Sequence, residues 1–132
     1  MLRCLVWMAG LHQIAVEEKQ LERAYVTGTA GMDLLTLLRA SREIGLQACA
    51  FTDEKERLSA LPMPFMAQLL NGNQIIVLKQ QAEEILLLDP YRAQPMVLGK
   101  KRFLEIWTGA VILFRKAAQP ASQGHVFNLF WF

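Results

Sequence analysis

Covalent hydrolysis by a side chain needs a nucleophile, a base and a group that orients the base. In this sequence the base is the scarce component, because the only histidines are His12 and His125. His12 follows the C-terminal end of an expected first helix, where an imidazolium suits the helix dipole, and His125 lies in the C-terminal tail. Both read as structural or solvated. Cys4 and Cys49 sit inside apolar periodic segments, with no Cys-x-x-Cys or Cys/His ligand spacing, so they read as reduced core cysteines rather than as a metal site or a disulfide. No metal site is expected. Asp89, before Pro90 and directly after the apolar run 85–88, is the most suggestive carboxylate. A strand end can aim it at a neighbour, although Asp-Pro is also a common way to start a turn. Glu17-Glu18 and Glu83-Glu84 are adjacent pairs whose side chains diverge, and they read as solvated faces. Trp7, Phe51, Phe65, Phe103, Trp107 and Phe114 fall in apolar periodic runs with few flanking Arg or Lys. Core packing is expected of them, not base stacking.

The elements that must position these groups belong to one domain. The chain has 132 residues, 53% of them hydrophobic and 20% charged, with 14 Lys+Arg against 12 Asp+Glu. That balance fits neither disorder nor a basic nucleic-acid binder, and no nucleic-acid partner is expected. The glycines form no phosphate loop or dinucleotide fingerprint, so no nucleotide cofactor is expected. The longest charge-free stretch, 58–78, is broken by Pro62, Pro64 and the Asn71-Gly72-Asn73 turn, so no membrane span is expected in it.

Helical periodicity predicts helices over 2–11 and 16–25, turn chemistry over 27–31, and a helix over 33–44 stopped by Gly45. A strand over 46–51 and a short helix over 54–60 follow. Short apolar runs at 65–70, 74–79, 85–88 and 96–98 are separated by turn residues and predict an antiparallel meander. A helix over 100–107 then precedes Gly109 and a closing strand over 110–114. Helices first and strands second suggest an α+β domain over 1–116. Residues 117–124 read as a linker, and 126–132, nearly all apolar or aromatic, as an association hazard if exposed.

The order of motifs resembles a known family. Cys4-Leu5-Val6-Trp7-Met8 to His12, then Gly28-Thr29 to Leu35, Leu38 and Ala40, Leu61-Pro62, Asn71-Gly72-Asn73, Leu88-Asp89-Pro90 and Phe103, Trp107, Gly109 look like the N-terminal peptidase domain of bacteriocin-exporting ABC transporters, peptidase family 39. The resemblance implies a papain-like cysteine peptidase fold, with the N-terminal helices packed on a C-terminal antiparallel sheet. Cys4 matches the second, non-catalytic cysteine of the family's first motif, which places the nucleophilic position just before Met1. The catalytic histidine should follow Asn71-Gly72, where Asn73 and Gln74 stand, and neither amide shuttles a proton near neutral pH. Asp89 matches the orienting acid.

With two of three triad positions lost, the chain looks like the degenerate domain of type I secretion exporters for RTX toxins and adhesins, similar to the haemolysin exporter. The resemblance implies a pseudoenzyme that binds the unfolded secretion substrate at the cytoplasmic face of a bacterial inner membrane. Its cleft would lie near Gln68, Asn73, Gln74 and Asp89, engaging the substrate by side-chain pockets or strand addition. The remaining transporter, with membrane and nucleotide-binding domains, would carry ATP and Mg, and 117–132 would be the linker and start of its membrane region. Two alternatives stand beside this: an active peptidase that uses Cys4 on double-glycine leader peptides, and a structural module docked on the transporter's own nucleotide-binding domain.

Overall fold

The computed structural model describes residues 2–25, 33–90 and 92–116. The turn expected over 27–31, the linker over 117–124, the tail over 126–132 and His125 lie outside the described residues. Three helices come first: α1 (Leu2–Leu11), α2 (Glu18–Tyr25) and α3 (Leu34–Glu43). Helix α3 follows its sequence signals closely. The Asp33 carboxylate accepts the Thr36 N–H at 2.8 Å as N-cap, and Gly45 at φ +97° stops the helix with its N–H on the Arg42 carbonyl at 3.2 Å. Helix α2 starts two residues later than the expected 16.

The strands are β1 (Leu46–Thr52), β2 (Phe65–Leu69), β3 (Gln74–Gln81), β4 (Glu84–Asp89), β5 (Gln94–Gly99) and β6 (Trp107–Lys116). A 3-10 helix, Lys55–Ala60, follows β1, and α4 (Lys100–Ile106) precedes β6. Strands β2 to β5 form the expected meander, and β6 closes the sheet by inserting between β1 and β2, in the order β1-β6-β2-β3-β4-β5 with all neighbouring pairs antiparallel.

Side-chain alternation along each strand splits the core across the sheet's two faces. On one face Cys4, Leu5, Met8, Leu21 and Leu37 of α1, α2 and α3 pack on Met66, Ile76, Leu88, Ile112 and Phe114. On the other, Phe103 and the 3-10 helix residue Leu58 pack on Phe65, Val77, Leu87, Val111 and Leu113. Trp107 anchors that second layer, stacked on Phe103 at 5.5 Å and tilted to Phe65 at 6.2 Å, with its indole N–H donating to the Ala110 carbonyl at 3.0 Å. A buried aromatic without that partner would strand a polar N–H in the core.

Three expectations need correction. Trp7 is not core: it is 38% exposed, because it lies on the side of α1 turned away from Cys4, Leu5 and Met8. Cys49 and Phe51 are half-buried rather than interior, since β1 is the outermost strand. Gly109 does not separate a helix from a strand but lies inside β6. Its φ of +94° creates an irregularity, so that β2 passes from Ala67↔Val111 to Leu69↔Trp107 with more residues on β6 than on β2.

Candidate functional site

The irregularity at Gly109 shapes one wall of an open groove. Thr108 Oγ1 donates to the Gln68 carbonyl at 2.9 Å and accepts the Ala110 N–H at 3.1 Å, filling the gap left where β2 and β6 lose register. The floor is a row of cross-strand neighbours, Ala50↔Ile112 and Met66↔Ile112. The outer row is Thr52↔Ala110 and Gln68↔Gln74. Leu34, from the first turn of α3, overhangs this row, and the groove has a volume of about 290 Å³ with no charged residue among the described ones that line it. Small residues on β1 and β6 keep it open.

Of the residues expected at the site, the fold therefore brings Gln68 and Gln74 together as a cross-strand pair in one groove. Asn73 is in the preceding turn, exposed, with its N–H on Asn71 Oδ1 at 2.9 Å, its carbonyl accepting from Leu69 at 2.9 Å, and Gly72 at φ +90° beside it. Of the two amides, Gln74 lines the groove and Asn73 does not. Asp89 ends β4, one residue beyond the Leu88 that pairs with Ile76, and is not in the groove lining. Its carbonyl accepts the N–H groups of Arg92 (3.2 Å) and Ala93 (2.9 Å), and its carboxylate pairs with the Arg92 guanidinium at 3.8 Å. The turn-forming reading of Asp-Pro holds.

Cys4 is fully buried under α1. Burial pushes its thiol up to about 12, and the negative charge of Asp89 adds to the rise. A thiol in that state supplies no thiolate at neutral pH. His12 cannot serve it: the imidazole Nδ1 lies 2.9 Å from the Met8 carbonyl at the helix end, and His12 stands just past α1, eight positions from Cys4 and so roughly 12 Å along the axis. Among the described residues no group of three His, Cys, Asp or Glu could hold a metal ion.

Leu34, Ala50, Thr52, Ala110 and Ile112 belong to the groove and carried no functional signal in the sequence. The small residues alternating at 48 and 50 were the nearest to a hint, since alanines on an otherwise bulky strand leave room above a sheet.

Three N-terminal helices on one face of this antiparallel sheet, α4 and the 3-10 helix on the other, and a groove lined by α3, β1, β2, β6 and the start of β3 define a papain-like cysteine-peptidase fold. The chain belongs to the peptidase C39 family, whose model matches residues 1–119. It is 28% identical over 133 residues to the toxin RTX-III translocation ATP-binding protein of Actinobacillus pleuropneumoniae, covering 99% of this chain and 19% of that protein. It is 26% identical, with the same coverage, to the alpha-hemolysin translocation ATP-binding protein HlyB of Escherichia coli O157:H7. The chain thus spans about a fifth of the length of these curated relatives. Among solved structures, the N-terminal peptidase C39 like domain of the toxin secretion ATP-binding protein from Vibrio parahaemolyticus matches with a TM-score of 0.76 at 21% identity, covering 87% of this chain and 94% of that one. A double glycine motif protease from an AMS/PCAT transporter, solved with its leader peptide, matches with a TM-score of 0.76 at 18% identity, covering 85% and 80%.

Proposed function

We propose that this chain is a catalytically inactive peptidase C39-like domain of a type I secretion ABC exporter, and that its groove receives the unfolded protein to be exported. The observation that carries the reading is Gln74. It occupies the groove beside the Asp89 strand end, where an amide can hydrogen-bond a peptide but cannot take a proton from a thiol. A nucleophile supplied from any direction would lack its base there, and the buried Cys4 is no substitute.

An uncharged groove with two amide side chains suits an extended polypeptide, whose backbone offers donors and acceptors in every sequence. The names of the relatives, translocation proteins for RTX toxins and alpha-hemolysin, favour an RTX toxin as that polypeptide. In this reading the rest of the exporter supplies the membrane domain and the ATP- and Mg-binding domain, and the domain works at the cytoplasmic face of a bacterial inner membrane.

Chemical-shift mapping with a calcium-free, unfolded RTX-repeat segment tests the proposal. Perturbations are expected at Gln68, Gln74, Ala110 and Ile112, and weaker ones when calcium has folded the segment. Shifts confined to α2 or β5 would refute groove binding. Cleavage of a double-glycine leader peptide, abolished by Cys4→Ala, would refute inactivity. Full export by an exporter lacking the domain would favour a purely structural role.

A further inference from the structure

Strand β1 is the outermost strand beside the groove, and its free side is unusually open to another chain. The Asp53 N–H donates to the Gly109 carbonyl at 2.9 Å. Counting back by twos along the antiparallel pairing, Phe51, Cys49 and Gln47 turn their backbone groups to β6, and Thr52, Ala50 and Ala48 turn theirs to the free side. Among the described residues, nothing hydrogen-bonds the outward backbone groups of Ala48 and Ala50.

Natural sheets blunt such margins with charge or proline. The opposite margin of this sheet, β5, carries Pro95. Strand β1, Leu-Gln-Ala-Cys-Ala-Phe-Thr, has neither. Ala50 and Thr52 also line the groove, so its floor runs without a break to the open backbone of β1. Leu34 overhangs the same place and is 40% exposed, an apolar contact for a side chain arriving alongside.

We infer that β1 is the docking strand of this domain: an extended polypeptide segment pairs its backbone with Ala48, Ala50 and Thr52 and turns one uncharged side chain under Leu34 into the groove. The identity of that segment as exported protein rests on the function proposed above, whereas strand addition itself rests on the open backbone. Pairing through the main chain explains how one site could accept a segment with little regard to sequence, since side chains would matter only at alternate positions.

The experiment uses a calcium-free RTX-repeat peptide and two versions of it, N-methylated at every second residue in either phase. Loss of several backbone donors should weaken binding by about tenfold or more. One methylated phase is expected to lose that affinity and the other to keep it, because only one phase faces β1. Amide exchange at Ala48 and Ala50 should slow by about tenfold in the saturated complex. Ala50→Pro, which removes one outward donor, should weaken binding of the unmodified peptide. Equal affinity for all three peptides, with shifts at Gln68 and Gln74 but no protection of Ala48 and Ala50, would overturn strand addition and leave the proposed groove binding intact. No binding by any peptide would overturn both. Protection of Ala48 and Ala50 that appears without peptide and grows with protein concentration would show that β1 pairs with a second copy instead, and would also overturn it.

Discussion

Gly109→Ala is expected to destabilise the domain more than any other single methyl addition at a described glycine. Two effects combine there. At φ +94° an L-residue is strained whatever space surrounds it, a cost of roughly 1–2 kcal/mol. The new Cβ would also stand 2.8 Å from the Asp53 carbonyl oxygen and 3.4 Å from Thr52 Cγ2. A backbone carbonyl cannot swing aside as a side chain would, and the neighbouring Asp53 N–H to Gly109 carbonyl bond, 2.9 Å long, ties the two strands together at that point. The sum is about 3 kcal/mol, within the range for strain at a special backbone position. With a urea dependence of about 1.5 kcal/mol per molar, the unfolding midpoint should fall by about 2 M at unchanged slope. Gly10→Ala is the control: nothing lies within 4 Å of its added Cβ and it is in a helix, so a gain of about 0.5–1 kcal/mol is expected. Midpoints for Gly109→Ala and wild type within about 0.3 M of each other would refute the reasoning. Because Thr108 bridges the same irregularity to Gln68, the variant should also bind peptide more weakly under conditions where it is still folded.

Two further predictions concern pH. The thiol of Cys4 is raised from 9.0 to about 12, so the stability tied to its neutral form is complete below pH 9.0 and lost as pH climbs toward 12. Cys4→Ala should therefore lose stability less steeply than wild type above pH 9 in urea titrations, and identical slopes would contradict the burial of the thiol. The Asp33 carboxyl is lowered from 3.8, first by the hydrogen bond from Thr36, so its contribution is present above pH 3.8 and lost as pH falls through the lower folded value. The melting temperature of Asp33→Ala should lie below that of wild type at pH 7, with the gap closing under pH 3.8; a gap that persists in acid would place its cause outside the cap.

The comparison of chain with fold turns on how far apart interacting residues lie. Asp33, Gly45 and the Asn71-Gly72 turn act on neighbours a few residues away, and each occurs where the sequence places it. The short apolar runs of β2 to β4 likewise report burial on both faces of the sheet, which each strand meets locally. Trp7 faces outward despite sharing the apolar periodicity of α1, because that periodicity does not say which side of a short helix lacks a neighbour. A glycine after a helix serves equally as a stop or as a bulge, and only the strands packed on both sides of β6 make Gly109 an interior irregularity.

The sequence by itself determined the order of helices and strands, the caps and turns that bound them, and the absence of a histidine after Asn71-Gly72, because these depend on residue type and short spacing. Tertiary structure decided that β6 pairs with β1, Leu46 opposite Lys116, that Gln74 rather than Asn73 enters the groove, and that Cys4 is sealed beneath α1. Those outcomes depend on the phase in which distant strands meet. A shift of one residue turns every side chain to the opposite face, and no local pattern in the chain records that phase.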